Sequence, residues 1–394
     1  SQDAQVLGGS IGEMHARKIV NLYDLAIKTG VPVIGMIDCA GIRLQESTDA
    51  LHAFGMIYKK QAEASGVILQ ISAIFGNCGG GLSVFTTLTD FTLMEEKGQL
   101  FVNAPNAIEG NRKEVLNSAS AVFQSKEAGT VDFVGNETEV FEEIRKLTQI
   151  FPSNYKDQSK VIDCVDDLNR LCENISAGNG KEILIQIADQ NEFLELKKDY
   201  GNDMTIGFIR LDGETIGCIA NKEERISAQG AKKAASFVKL CDAFGIGILT
   251  VTDTVGFVAE IEQEKELSQA IGAMTGAFVQ ATVPKVNVIS KKAFGSAYVS
   301  MNSKSIGADF VYAWSDAKIG MMEADMAVKI MYPGANADVL KEKAKEYEEL
   351  QSDVYTAARR GYVDTVIDPA ETRKYVIGAF EMLYTKRDVE LRFR

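Results

Sequence analysis

The chain repeats itself, and that repeat constrains its fold more than any other feature. Residues 18–42 read KIVNLYDLAIKTGVPVIGMIDCAGI, and residues 233–257 read KAASFVKLCDAFGIGILTVTDTVGF. The two stretches align without a gap at an offset of 215, pairing Lys18 with Lys233, Leu25 with Leu240, Gly30 with Gly245, Asp38 with Asp253 and Gly41 with Gly256. The register continues through Gln70-Ile71-Ser72 on Lys285-Val286-Asn287 and Gly80 on Gly295; after a shift of four residues, Asp90-Phe91 falls on Asp309-Phe310. Further on, Gly129 to Asp132 matches Gly361 to Asp364. Each copy has the pattern of an amphipathic helix, a glycine turn, a short run rich in Val and Ile, and a polar glycine-bearing loop. Each half is therefore expected to be a set of β-α units. The boundaries are expected at 1–150 for the first half and 181–394 for the second. The polar stretch 151–180, with Pro152, Asn154 and several Asp, reads as the connection. A chain of 394 residues is long enough for two such cores. The stretch 341–350 (KEKAKEYEEL) reads as a solvated helix.

Composition removes several classes of function. A formal net charge of −13 argues against nucleic acid as a partner, because phosphate binding wants clustered Lys and Arg. The six cysteines, at 39, 78, 164, 172, 218 and 241, include no CxxC pair and suit reduced thiols in a cytoplasmic protein. With only His15 and His52 in the chain, a histidine-based metal site or a Ser-His-Asp triad starts poor, and no metal is expected. Gly66 to Phe85 is apolar but broken by Gln70, Ser72 and Asn77, so it reads as buried strand and turn and not as a membrane span. No signal peptide opens the chain, and Ser1 stands so close to a motif that residues upstream of it are expected.

In each half, two strand ends meet loops rich in glycine. In the first half these are Asp38 to Arg43 (DCAGIR) and Gly76 to Gly81 (GNCGGG); in the second they are Asp253 to Phe257 (DTVGF) and Ala293 to Tyr298 (AFGSAY). Glycine lets a backbone approach a ligand and turn its N–H groups toward it. Two N–H groups from separate loops form an oxyanion hole, and a thioester enolate is a natural occupant. A single such loop reads more simply as a tight strand-to-helix turn. The pair occurring twice, at matching positions, favours function. Neither Gly8 to Gly12 nor Gly76 to Gly81 has GxGxxG spacing or a P-loop Lys, and no GxSxG elbow occurs. No Asp or Glu lies between Gly79 and Thr89 or between Gly295 and Ala308, so a protein base for hydration chemistry is missing there.

At these residues the chain resembles the biotin-dependent acyl-CoA carboxyltransferase family. That family includes propionyl-CoA carboxylase β subunits, the transcarboxylase core and the α subunits of sodium-pumping decarboxylases. The similar segments are Gly8 to Ala16 (GGSIGEMHA), Asp38 to Glu46 (DCAGIRLQE), Gly76 to Gly81, Ala281 to Lys285, Ala293 to Tyr298, Ala308 to Trp314 and Arg359 to Asp364, with Ile367-Asp-Pro369 and Thr372-Arg373 after them. They cover nearly the whole chain in order. The resemblance implies an α/β fold of two tandem crotonase-like (ClpP/crotonase) β-β-α superhelical domains, the first on the acyl-CoA side and the second on the biotin side. It also implies site residues. The N–H groups of Ile42 and Gly80 would hold the enolate of a short-chain acyl-CoA, of the propionyl/methylmalonyl, acetyl/malonyl or glutaconyl type. Those of Phe257 and Ala297 would hold the ureido oxygen of biotin, with Gly41, Gly79, Gly81, Gly256, Gly295, Ser296 and Tyr298 lining the two sites. The biotin nitrogen would serve as proton acceptor. No Met-Lys-Met biotinylation motif occurs, so biotin is expected on a separate carrier subunit. The implied partners are a biotin carboxyl carrier protein, with either a biotin carboxylase or a membrane sodium-pump decarboxylase subunit. The implied assembly is a homo-oligomer, from dimer to hexamer, whose sites lie between subunits. The chain departs from the family in two loops. Asp253 to Glu260 lacks the prolines and later glycines of the usual D-x-P-G-F-x-P-G pattern, and DCAGIR stands for the usual DSGGAR.

Other residues read more plainly. His15 suits a helix-start contact and His52 a helix position. Cys39 and Cys78 suit buried thiols, and Trp314 suits the core. Arg43 is expected to pair with Glu46, while Glu13 and Glu46 read as structural carboxylates. Tyr298 fits packing as well as it fits a biotin pocket. Two other classes stay open, a biotin-independent crotonase-type hydratase or isomerase and a non-catalytic scaffold.

Overall fold

A computed structural model describes residues 1–157 and 161–386. Residues 158–160 of the expected connection, and 387–394 of the second half, lie outside them. Two separately packed units divide the chain: residues 1–160 with 196–200, and residues 161–195 with 201–394.

The first unit holds α1 (Glu13–Thr29), β1 (Val33–Cys39), α2 (Ser47–Ala64), β2 (Gln70–Gly79), α3 (Leu82–Thr87), β3 (Phe91–Glu95), β4 (Gln99–Phe101), α4 (Ala121–Lys126), β5 (Phe133–Gly135) and α5 (Glu137–Ile150). Its sheet runs β1-β2-β3-β5, with β4 pairing the far end of β2, and these strand pairings are parallel. A parallel sheet needs both faces covered, which is why β2 and β3 are near-continuous apolar runs. Ile37, Ile74 and Met94 pack with Phe54 and Ile57 of α2 and Leu82 of α3. Helix α1 stops at Gly30, whose φ of +70° favours a residue without Cβ, and its N–H returns to the Ala26 carbonyl. Helix α5 starts on a capping box between Asn136 and Glu139.

The second unit begins with α6 (Gly180–Ile187), β6 (Phe193–Leu196), β7 (Met204–Leu211), β8 (Glu214–Asn221), β9 (Arg225–Ile226), α7 (Ala228–Ala243), β10 (Ile248–Thr254) and β11 (Gly256–Phe257). It continues with α8 (Ile261–Gln280), β12 (Lys285–Phe294), α9 (Gly295–Ser300), β13 (Phe310–Trp314), β14 (Lys318–Gly320), α10 (Ala324–Met331), α11 (Ala337–Tyr347), α12 (Val354–Arg359), β15 (Thr365–Ile367) and α13 (Thr372–Leu383). Its main sheet runs β15-β13-β12-β10-β8-β7-β6, with β14 on the end of β12. The β7–β8 hairpin turns on Asp212 and Gly213, both at positive φ, the chemistry of a two-residue turn. This antiparallel pair is not among the β-α units that the repeat leads one to expect. Trp314 is fully buried and donates its indole N–H to Thr372 at 2.9 Å, so it is core, as expected. The charged stretch 341–350 is helical through most of its length, with Ala344 as its buried residue.

The repeat holds bond by bond. Strands β1 and β2 share one register with β10 and β12 after adding 215, from Val33↔Gln70 and Ile248↔Lys285 to Cys39↔Cys78 and Thr254↔Ala293, with the same irregularity before the last pair. The Asp38 carboxylate accepts the Asn77 N–H at 3.0 Å, and Asp253 accepts the Lys292 N–H at 3.1 Å. Asp90 accepts from Gln70, and Asp309 from Lys285, each at 2.7 Å. Asp132 on Thr92 and Asp364 on Val311 repeat that contact, again at 2.7 Å. Asp90, Asp309, Asp132 and Asp364 tie the start of one strand to its neighbour, while Asp38 and Asp253 join neighbouring strands near their carboxyl ends. That is the physical reason the sequence keeps Asp at matching places.

Candidate active site

In the first unit, two loops meet at the carboxyl ends of β1 and β2. At the irregularity after Ile37, Asp38 turns its carboxylate onto the Asn77 N–H. Gly76 makes room for it, since a Cβ there would lie 2.0 Å from Asp38 Oδ1. Gly41 has φ +108°, and its N–H points at the Cys39 sulfur at 3.3 Å. Ile11 then forms a parallel bridge with Ile42, its N–H on the Gly41 carbonyl and its carbonyl on the Arg43 N–H, both at 2.9 Å. In a parallel bridge of this kind the central residue's own N–H points the other way. The Ile42 N–H accordingly has no protein partner among the described residues.

The facing loop behaves differently from the expectation at one atom. Gly79 pairs with Phe101 of β4, and the Gly80 N–H donates to the Phe101 carbonyl at 2.9 Å. Gly80, at φ +63°, turns the chain, and its carbonyl takes the Ser83 N–H at 3.1 Å and the Ser83 hydroxyl at 2.7 Å. The next N–H, on exposed Gly81, has no partner among the described residues. A Cβ on Gly41 would stand 3.9 Å from the Gly79 carbonyl, so the two loops adjoin. The structure thus brings Ile42, Gly41, Gly79, Gly80 and Gly81 together. Of the glycine N–H groups at 80 and 81, it leaves Gly81's open.

The second unit builds the same arrangement with other side chains. Thr254 stands where Cys39 does, and its hydroxyl oxygen accepts the Gly256 N–H at 3.3 Å. Strand β11 pairs with β9 through Gly256↔Arg225 and Phe257↔Ile226, and the Val258 N–H reaches the Ile226 carbonyl at 3.0 Å. This is the Ile11–Ile42 bridge moved by 215 residues, and it aims the Phe257 N–H as Ile42's is aimed. Without the prolines, the loop still keeps this pattern. Gly295 has φ +61°, matching Gly80. Exposed Ser296 and buried Ala297 then open α9, whose first N–H groups precede any intrahelical acceptor. The position equivalent to Ala297 is Leu82, and the one equivalent to Gly80 is Gly295. The two expected pairs, Ile42 with Gly80 and Phe257 with Ala297, are therefore not mates under the repeat. Tyr298 packs against the cluster of Ile289, Ala293 and Ile319, and burial pushes its hydroxyl up to about 12.

Neighbouring titratable groups are structural. Glu46 accepts the Glu13 N–H at 2.5 Å and pairs with Arg43 at 2.7 Å; these bonds, the backbone one first, hold its carboxyl below the usual range. Glu13 pairs with Arg17 at 2.6 Å. His15, in the first turn of α1, is lowered by burial, and His52 lies exposed on α2. Burial pushes the Cys39 and Cys78 thiols up, away from the thiolate a nucleophile needs. Asp253 is also raised by burial, against the pull of the Lys292 N–H. No group of three or more His, Cys, Asp or Glu among the described residues is placed to hold a metal ion. No helix among them is long and apolar enough to cross a membrane.

The residues that sequence reasoning missed are Ile11, Ile226 and Phe101, which set the direction of the open N–H groups through their backbones. Extending the offset of 215 upstream would have found the first two, since Ile11 falls on Ile226.

Comparison with known proteins places this geometry. The carboxyl transferase domain model matches residues 1–394. The methylmalonyl-CoA decarboxylase subunit alpha of Propionigenium modestum is 36% identical over 413 residues, covering 98% of this chain and 80% of the relative. The propionyl-CoA carboxylase beta chain of Cereibacter sphaeroides is 37% identical over 408 residues, with 98% and 80% covered. Among solved structures, the transcarboxylase 12S hexamer with hydrolysed methylmalonyl-coenzyme A bound superposes with a TM-score of 0.93 at 32% identity, over 98% of this chain and 79% of that one.

Proposed function

The chain belongs to the carboxyl transferase family, and from that membership we propose that it moves a carboxyl group between a short-chain acyl-CoA and biotin held on a separate carrier subunit. The observation that carries the reading is the doubled pair of loops. Each unit holds one N–H at the end of a strand (Ile42, Phe257) and further N–H groups at a glycine turn (Gly80 and Gly81; Gly295 to Ala297), with no Asp or Glu on α3 or α9. Such a site stabilises negative oxygen and does little proton chemistry of its own.

In the first unit, the thioester oxygen would accept the N–H of Ile42 and of the glycine turn. The open N–H at Gly81 supports that residue beside or in place of Gly80, whose N–H is engaged by Phe101. When the bond between the α-carbon and the departing carboxylate breaks, the electron pair moves onto the thioester oxygen, where those donors hold it. In the second unit, Phe257 and Ala297 would hold the ureido oxygen, and the matching bridge at Ile226 supports their fit to that group. Biotin, when bound, takes up the carboxyl group on its ureido nitrogen and surrenders the proton that the α-carbon needs. Gly256, Gly295 and Ser296 would line the biotin side, with Tyr298 packed beside them against Ile289 and Ala293. By likeness to the 12S hexamer, the working form is a homo-oligomer whose partners are a biotin carrier and either a biotin carboxylase or a membrane decarboxylase subunit.

The test supplies the purified protein with free biotin and, in turn, methylmalonyl-CoA, malonyl-CoA and glutaconyl-CoA. Biotin-dependent release of CO2 from one of them is expected, and the preferred ester names the substrate. Release from none would sink the reading, and hydration of an enoyl-CoA without biotin would replace it with the hydratase class.

A further inference from the structure

The β12–α9 segment of the second unit is closed at its base by a buried polar network centred on an Asn that the first unit does not have at the matching place. Asn287, in β12, is fully buried. Its side-chain oxygen accepts the hydroxyls of Thr250 and Thr252 on β10, each at 2.9 Å. Its amide nitrogen donates to the Met301 carbonyl at 3.3 Å, immediately after α9 ends. Asn302 follows, fully buried and held at φ +51°, a left-handed conformation that Asn tolerates better than most residues with a side chain. Its amide donates to Thr250 Oγ1 at 3.2 Å and to the Val286 carbonyl at 3.4 Å. Its own side-chain oxygen has no partner among the described residues, so the network does not satisfy every group it buries.

The repeat supplies the comparison. Under the offset of 215, Thr250, Thr252 and Asn287 fall on Gly35, Ile37 and Ser72. Ser72 receives one hydrogen bond there, from Thr89 at 3.1 Å. In the first unit the Thr86 carbonyl, equivalent to Met301's, accepts instead the hydroxyls of Thr89 at 2.9 Å and Thr92 at 2.8 Å, so the same place is tied from the strand after the helix and not from the strand before it. Asn287 itself is satisfied at both ends of its amide, and a buried polar side chain so held rigidifies what it joins.

We propose that Asn287, held by Thr250 and Thr252, is a positioning residue of the second half-site. It ties the end of α9 back to the strand leading into α9, so that the N–H groups of Ser296 and Ala297 keep their direction. It touches neither substrate nor biotin. The role rests on the reading of this unit as the biotin side.

The experiment uses the full chain with Thr250→Val, which keeps shape and removes the hydroxyl, with Thr250→Ser as the conservative variant, and with Asn287→Ala. Amide hydrogen exchange is followed at residues 295–302 and, as a control, at 70–79. Exchange at 295–302 is expected to speed up about tenfold or more in Thr250→Val and Asn287→Ala, with 70–79 unchanged and Thr250→Ser like wild type. In the methylmalonyl-CoA assay, kcat/KM for free biotin should fall by roughly 10- to 100-fold in the same two variants, the scale of a small misplacement, while the Kd for propionyl-CoA stays within about twofold. Unchanged exchange at 295–302 in folded Thr250→Val overturns the proposal, as does a loss of acyl-CoA affinity in step with the loss on biotin. If wild type releases no CO2 with biotin, the functional reading falls, and the exchange data alone decide whether the strap exists.

Discussion

Single atoms decide what the glycine loops can do. Gly76 is glycine because Asp38 occupies the space of its Cβ, and Gly79 because the Phe101 ring does, at 2.5 Å. Gly80 is glycine for a different reason, its φ of +63°, and a Cβ there would meet nothing. The glycine pattern made these loops legible in the sequence. Which N–H stays open was not, because the Phe101 carbonyl that engages Gly80 arrives on β4, far along the chain. The aspartates at strand starts give a second residue-scale consequence. Burial pushes the half-buried Asp90 carboxyl up to about 7, against the Gln70 N–H that it accepts. A carboxyl raised above its unfolded value stabilises the fold below about pH 4, and that contribution is lost as pH rises through about 7. Asp90→Asn keeps an acceptor for Gln70 and does not titrate. In urea unfolding it should match wild type near pH 4 and exceed it by about 1–2 kcal/mol near pH 8, the residual exposure of the carboxyl limiting the gain. A difference that does not grow with pH would contradict this.

Whole elements were more legible than their ends. The alignment of residues 18–42 on 233–257 anticipated that α1–β1 and α7–β10 are one motif, because helix period, glycine stop and buried strand are all local signals. The hairpin β7–β8 carried its own signal in Asp212-Gly213, which lies outside the aligned stretches. The loop after Asp253 shows that missing prolines need not remove a conformation, since Thr254 and the β9 bridge supply the same bonds. Helix α13 carries the clearest stability prediction at this scale. Arg373 is fully buried, donates to the Ile187 carbonyl at 2.5 Å and pairs with Asp189 at 2.6 Å. Arg373→Met would leave the Asp189 carboxylate without its cation in a site that excludes most water. The expected loss is about 3 kcal/mol in urea unfolding. A loss below about 1 kcal/mol would show that solvent reaches the pair.

At the scale of the molecule, two copies of one plan have taken different side chains at the same places. Cys39 and Thr254 cap the same turn, Asn77 and Lys292 sit on matching aspartates, and Ser72 stands where Asn287 builds its network. Backbone geometry is kept while the lining diverges, which the proposed division of the two sites between different molecules requires. The duplication was written in the chain's own residues, whereas the assignment of acyl-CoA to one copy and biotin to the other came from family resemblance. That assignment is therefore the central claim to test. The most direct measurement is a structure of the protein with propionyl-CoA bound. The account predicts the thioester oxygen about 3 Å from the Ile42 nitrogen and from the Gly80 or Gly81 nitrogen. A thioester oxygen seated instead at Phe257 and Ala297 would contradict it.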